Sequence, residues 1–364
     1  MPKIILFTTD FLPNQGGVAN YYAGLLKQLP DFQVITHLVG SDRVAGVTRL
    51  PLFWSFWPYW LPMIWQMFKM GRLYPQAILA AGQILPVGTA MYIWHLFTKR
   101  PYFVFLHGFD VGLILAGGWF KKWLSGQILK SAKFLIVNSQ YTNDLVKKIS
   151  PRLSKILIIY PCPDLTFFNQ AVSGDILSKY NLADKRVILS VGRLVARKGL
   201  LVTLEKLTPW LKQDKDLVYV IIGDGPIKKN LQAKIKADNL PVILTGNVSD
   251  QEKWAWYKKA EIFVMMPLAG SIDVEGFGIV YLEAQAAGCL VVGNYQGGVP
   301  EAIGEAGLIL SDNQDLALIC QQLLADKNKL EQLKQFGHKR LEETFNWPKQ
   351  ADKLKIFLEN NLCQ

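Results

Sequence analysis

The run Glu275-Gly276-Phe277-Gly278-Ile279-Val280-Tyr281-Leu282-Glu283 sets two carboxylates around a Gly-aromatic-Gly turn that opens into an apolar segment. Glycine at 276 and 278 lets the backbone turn sharply and leaves its N–H groups uncovered. Those groups stand at the start of an expected helix, where unpaired donors and the positive dipole end favour oxygen-rich ligands. Glu275 precedes the helix and Glu283 lies about one turn inside it, so the two are at most roughly 12 Å apart at helical rise. Carboxylates accept hydrogen bonds strongly, so the run reads as a clamp for a ligand with hydroxyls at both ends. A capped core helix with two incidental glutamates has the same pattern, because the spacing alone is loose.

A second stretch, Ser190-Val191-Gly192-Arg193-Leu194-Val195-Ala196-Arg197-Lys198-Gly199, ends a strand and opens a helix. Gly192 permits the strand-end turn. Arg193 offers a bidentate fork and Lys198 a point charge, a pair suited to a pyrophosphate. Gly16-Gly17-Val18 is another strand–loop–helix junction whose amides could face a phosphate, although a Gly-Gly pair is also a common simple turn. His107-Gly108-Phe109-Asp110 ends a strand, and doubly wound sheets bind ligands at the carboxyl ends of their strands.

Together these segments resemble retaining glycosyltransferases of family 4, which have the GT-B fold. Glu275–Glu283 resembles the family's E-x7-E motif. The longer run Asp273 to Ala286 is most similar to the phosphatidylinositol mannosyltransferase branch. Gly192–Gly199 resembles the G-R-x4-K-G pyrophosphate signature. The resemblance implies that Arg193, Lys198, Glu275 and His107 are catalytic. It implies that Gly16, Gly17, Gly192, Val248, Gly276, Phe277, Gly278 and Glu283 bind the donor, with Glu275 at the sugar and Glu283 at the ribose. Gly223-Asp224-Gly225-Pro226 resembles the G-x-G-P element, which places Gly223 and Gly225 near the nucleotide in a structural role. Asp110 is expected to orient its loop, and Gly297-Gly298-Val299-Pro300-Glu301 is a structural turn. The resemblance is strong in the second half and weak over residues 40–100.

Alternating short apolar strands and helical segments predict an α/β chain of two Rossmann-like doubly wound domains facing each other across a cleft. Residues 1–165 are the expected acceptor-binding domain, with strands at Lys3–Thr8, Gln33–Val39, Ala77–Ala80, Tyr102–His107, Phe134–Asn138 and Ile156–Ile159. Residues 166–345 are the expected nucleotide-sugar domain, with strands at Arg186–Gly192, near Leu217–Gly223, Val242–Thr245, Ile262–Met266, Leu290–Gly293 and Gly307–Leu310. The seam runs through Pro161, Pro163 and Gly174. By resemblance a last helix, 346–364, crosses back onto the first domain.

Charge divides the chain further. Residues 1–165 hold 16 Lys and Arg against 6 Asp and Glu, so they carry +10 of the total +11. Such asymmetry calls for an anionic partner of the first half. No nucleic-acid-binding pattern is present, and the same half is rich in Trp and Phe, so an anionic membrane surface is the better partner. Residues 50–68 are uncharged, but Pro51, Pro58 and Pro62 and scattered tryptophans argue for a strand end, a loop and an interfacial helix rather than a spanning one. A buried helix beside the acceptor pocket is the alternative reading. The four cysteines show no CxxC pair, which argues against a zinc site or disulfide framework and fits a reducing compartment. The start of the chain reads as a strand and not a signal peptide.

The expectation is therefore a metal-independent hexosyltransferase without a cofactor, peripheral at the cytoplasmic face of the membrane. It would move a sugar, first mannose from GDP-mannose, to a lipid-linked or glycan acceptor. Two rivals are a nucleotide-sugar epimerase on the same fold and a non-catalytic membrane-surface binding protein. The paired motifs Arg193–Lys198 and Glu275–Glu283 count against the first, and intact motifs in both domains count against the second.

Overall fold

The computed structural model describes residues 2–13, 16–38, 43–151, 153, 155–168, 179–182, 184–268, 270 and 274–362. Val39, Gly174 and Asp273, used above as a strand end, a seam glycine and the first residue of the extended motif, lie outside the described residues, as do residues 363 and 364. The chain forms two units, Met1–Cys162 with Phe345–Gln364, and Pro163–Thr344.

In the first unit, seven parallel strands lie in the order β3-β2-β1-β4-β5-β6-β7. They are β1 (Ile4–Phe7), β2 (Phe32–His37), β3 (Val47–Leu50), β4 (Ile78–Ala81), β5 (Tyr102–Leu106), β6 (Phe134–Val137) and β7 (Ile156–Ile158). The central strands are apolar and buried along their length, as a parallel sheet covered on both faces requires. The sequence reading missed β3. Val47-Thr48-Arg49-Leu50 is a half-buried edge strand of mixed polarity, so it shows neither an apolar run nor a clean alternation.

The flanking helices are α1 (Gly17–Gln28), α2 (Leu61–Leu73), α3 (Thr89–Thr98), α4 (Phe109–Leu115), α5 (Trp119–Ser131) and α6 (Gln140–Ile149). The uncharged segment 50–68 resolves into the end of β3, an irregular stretch and the first turns of α2. Met63, Met67 and Met70 of α2 enter the core at helical spacing, while Trp65 on the opposite face is exposed.

The last helix of the chain, α14 (Trp347–Leu362), belongs to this first unit. Its Trp347 ring lies against Gly24 of α1, where a Cβ atom would sit only 2.1 Å from the indole. The Gln350 side chain accepts a hydrogen bond from the Tyr160 N–H (2.8 Å), and Phe357 meets Phe134 edge-on.

In the second unit, six parallel strands lie in the order β10-β9-β8-β11-β12-β13. They are β8 (Arg186–Val191), β9 (Leu217–Ile222), β10 (Val242–Gly246), β11 (Ile262–Val264), β12 (Leu290–Asn294) and β13 (Gly307–Leu310). The helices are α7 (Leu200–Gln213), α8 (Lys228–Asp238), α9 (Asp250–Lys259), α10 (Ile279–Ala286), α11 (Val299–Ile303), α12 (Leu316–Ala325) and α13 (Lys327–Glu343). Strand order reverses between β8 and β11. That reversal opens a crevice at the strands' carboxyl ends, the place where doubly wound sheets take ligands.

Candidate active site

The loops that follow β8 and β11 carry the two motifs singled out in the sequence, and the structure brings them into contact at that crevice. Lys198 Nζ donates to Glu275 Oε2, and Arg197 Nη1 donates to the same oxygen at 3.3 Å. The side chains of Lys198 and Glu275 are about nine-tenths buried. Burial opposes the charge on Glu275, but the two cations outweigh it and hold the carboxyl below its usual range. Arg193, expected beside Lys198, points to solvent, and its side chain has no partner among the described residues. Arg197 was visible in the quoted stretch, but nothing in the spacing showed that it would turn inward.

The glycines around these loops have a steric reason. Gly223 has φ near +132°, and a Cβ there would lie 2.0 Å from the Gly192 carbonyl oxygen. The turn after β9 thus backs the phosphate-type loop after β8, and the Leu194 N–H donates to the Asp224 carbonyl to tie them together (2.9 Å). Gly225 sits as closely against Leu194. Gly297 repeats the device on the other loop. A Cβ would come within 2.1 Å of the Glu275 carbonyl oxygen, and the next amide, Gly298, donates to that oxygen at 2.9 Å. The Gly-Gly-Val-Pro-Glu turn therefore braces the Glu275 turn. Within the latter, positive φ falls on Gly278, the residue before α10, while Phe277 is buried.

Glu283 lies inside α10 and is also buried. Lys253 Nζ donates to its Oε1 at 3.0 Å and the Tyr257 hydroxyl to its Oε2 at 2.8 Å. Neither partner was singled out in the sequence, since α9 and α10 are joined only by the fold. Val248 lies half-buried in the loop leading to α9, where the Ser249 side chain caps the helix by accepting from the Glu252 N–H.

The remaining expected residues belong to the first unit. Gly16 and Gly17 open α1, directly after the loop that follows β1, and a Cβ at either would meet nothing within 4 Å. No packing constraint in this unit demands glycine there. His107 follows β5. Its Nε2 lies 2.6 Å from the Tyr22 hydroxyl, which donates its one proton to the Gly82 carbonyl at 2.6 Å. Tyr22 can then only accept from the imidazole, which fixes the proton on Nε2 and leaves Nδ1 as an acceptor. Burial pushes the His107 pKa down to about 3, so the ring is neutral at physiological pH. Asp110 Oδ1 accepts from the His107 and Val111 N–H groups, and burial pushes its carboxyl up to about 6. Those bonds make it an orienter of the His107 loop.

Among the described residues there is no group of three or more His, Cys, Asp or Glu able to hold a metal ion. No helix among them is long and apolar enough to cross a membrane.

Residues 175–340 match the family model described as glycosyl transferases group 1. The GDP-mannose-dependent alpha-(1-6)-phosphatidylinositol monomannoside mannosyltransferase of Mycobacterium tuberculosis is 25% identical over 99% of both chains. The GDP-mannose-dependent monoacylated alpha-(1-6)-phosphatidylinositol monomannoside mannosyltransferase of Corynebacterium glutamicum is 30% identical over 48% of this chain and 47% of that one. Among solved structures, Anabaena HepE in complex with UDP and glucose superposes with a TM-score of 0.81 at 18% identity, over 99% of this chain and all of that one. The two parallel Rossmann-like sheets are those of the GT-B glycosyltransferases.

Proposed function

We propose that this glycosyltransferase, whose residues 175–340 match the glycosyl transferases group 1 model, moves a hexosyl group from a nucleoside diphosphate sugar, with retention, to a lipid-linked or glycan acceptor at the cytoplasmic face of a membrane. The observation that carries the reading is the meeting of Lys198 and Glu275 at the β8–β11 switch point. One end of one sheet offers a cation for a diphosphate and a carboxylate for sugar hydroxyls. GDP-mannose is the first donor to test, because the relatives named above use it.

In this reading the acceptor hydroxyl bonds to the anomeric carbon as the bond to the diphosphate breaks, and a leaving phosphate oxygen takes the hydroxyl proton. Arg193 and Lys198 stabilise charge on the departing diphosphate. Glu275 and the amides of Phe277 and Gly278 hold sugar hydroxyls, Glu283 holds the ribose, and His107 Nδ1 accepts from a hydroxyl. Gly192 and Val248 complete the donor loops. No metal or further cofactor takes part. The rule that binding energy realised only in the transition state raises kcat assigns the sugar contacts to catalysis and the ribose contact to affinity.

The membrane component rests on exposure. Trp57 (82%), Trp119 (79%), Phe56, Trp65 and Trp123 stand out from the basic first unit, near Lys69, Lys121 and Lys122. Aromatic rings with adjacent lysines suit an anionic headgroup layer.

The deciding experiment is diphosphate release from GDP-mannose, UDP-glucose and related donors, with and without a lipid-linked acceptor extract and with EDTA present. Acceptor-dependent release that survives EDTA is expected. Failure of every donor to release nucleotide or to shift the melting temperature would overturn the reading. A bound donor at 100 times its Kd adds about 2.7 kcal/mol.

A further inference from the structure

Glu283 is not an isolated carboxylate. Lys253 and Tyr257 are four residues apart on α9, so they share one face of that helix. Both reach Glu283, one to each oxygen. Tyr257 is fully buried, the Glu283 side chain is 6% exposed and that of Lys253 is 18% exposed. Lys253 also reaches Asp250 Oδ1 at 3.1 Å, and Asp250 is open to solvent. Burial works against the ammonium, but the carboxylates of Glu283 and Asp250 outweigh it and raise the Lys253 pKa. The group is therefore a charged pair at the edge of a core, with a buried hydroxyl behind it.

A buried Lys–Glu pair contributes little net stability, because desolvation offsets most of the attraction. The neighbours Trp254 and Trp256 are buried, so an apolar pair of similar size would serve packing here as well. What the pair does supply is a carboxylate fixed in one orientation, with one oxygen on Lys253 and the other on Tyr257. Each Glu283 oxygen has a lone pair occupied by its partner and a second one to offer. A vicinal diol presents two O–H donors in a matching arrangement.

We infer that Lys253 and Tyr257 are positioning residues for the donor nucleotide, and that they fix the Glu283 carboxylate so that its remaining lone pairs receive the two ribose hydroxyls. The inference rests on the nucleotide-sugar reading given above and adds the residues that make the ribose contact selective. Neither residue touches the reacting atoms, so both act on donor affinity and not on the chemical step. A carboxylate without its two partners is free to rotate, and it then discriminates ribose from deoxyribose poorly.

The test is calorimetric titration of the full chain with GDP, 2′-deoxy-GDP, UDP and 2′-deoxy-UDP, alongside kinetics with the working donor. A hydrogen bond to a charged group is worth about 1.5–3 kcal/mol, so the wild type should prefer the ribonucleotide by roughly 10-fold to 150-fold. In Lys253→Met and Tyr257→Phe that ratio should fall to within about threefold of unity, donor KM should rise and kcat at saturation should stay near wild type. Lys253→Arg, which keeps the charge, should restore most of the preference. Unchanged ratios in both variants would overturn the inference while leaving the ribose contact of Glu283 in place. A wild type that binds both sugars equally would remove the ribose contact and the inference together. Nucleotide binding in the same titration would still stand for the donor reading. Should Lys253→Met fail to fold, Tyr257→Phe, which keeps its ring, decides alone.

Discussion

The two units spend their charge differently. The second unit carries a series of ion pairs, from Lys185–Asp216 to Lys339–Glu343. Those at the crevice are buried and point inward. The first unit carries +12 against −1 for the second, leaves large aromatic rings in solvent beside its lysines, and buries His107 neutral. Inward pairs organise a small-molecule site, because low dielectric strengthens them and fixes their geometry. Outward charge acts at a distance and on extended surfaces, and salt screens it. The contrast is what the proposed division rests on, with chemistry in the second unit and acceptor or surface recognition in the first.

Replacing Lys198 with Ala is the strongest way to break that division. Transfer should fall roughly 100-fold to 1000-fold, the cost of removing one preorganised charge stabiliser, while the melting curve shows a folded protein. Transfer within about threefold of wild type would leave the crevice without its diphosphate role. Glu275→Ala should lower kcat more than it raises donor KM, because the sugar contact tightens as charge develops, and steady-state kinetics reads the split. Glu283→Ala should do the reverse, raising KM by roughly tenfold with a smaller change in kcat. The opposite pattern in the two mutants would exchange their roles.

The first unit is tested at its surface. Co-sedimentation should show binding to vesicles containing anionic lipid, weaker at high salt and absent with neutral vesicles. Each basic residue near such a surface is worth about 1 kcal/mol, so Lys121→Ala with Lys122→Ala should weaken binding by roughly 30-fold. Equal binding to neutral vesicles would remove the electrostatic half of the contrast. The smallest effect expected is on stability against pH. The His107 pKa is depressed from 6.5 to about 3, so the unfolded chain binds a proton that the folded one refuses. This group therefore lowers stability progressively as pH falls from about 6.5 towards 3, and does not act above that window. Denaturant midpoints at pH 7 and pH 5 should differ less in His107→Gln than in wild type.

Much of this was legible because it is local. Continuous apolar strands, the glycine turns and the charge asymmetry are all written within short windows of sequence. Residues 50–68 divided into strand end, loop and helix because their prolines forbid a long helix. What could not be read was contact across the fold. Arg197 and Lys198 are adjacent, yet only the β8–β11 neighbourhood shows that both meet Glu275. Lys253 lies 30 residues from Glu283, and α9 reads simply as a polar helix. The edge strand β3 carried too little apolar pattern to be seen.

The wedge of Trp347 against Gly24 has a consequence for the order in which the protein is made. The first unit is interrupted in sequence by the whole of the second, and α14 covers the face of α1 that holds Gly24. On the ribosome, the second unit can complete its core while the first still waits for residues 345–362. The first unit to begin is thus the last to finish folding, and the Gly24 face of α1 waits for residues 345–362 before its partner helix can dock.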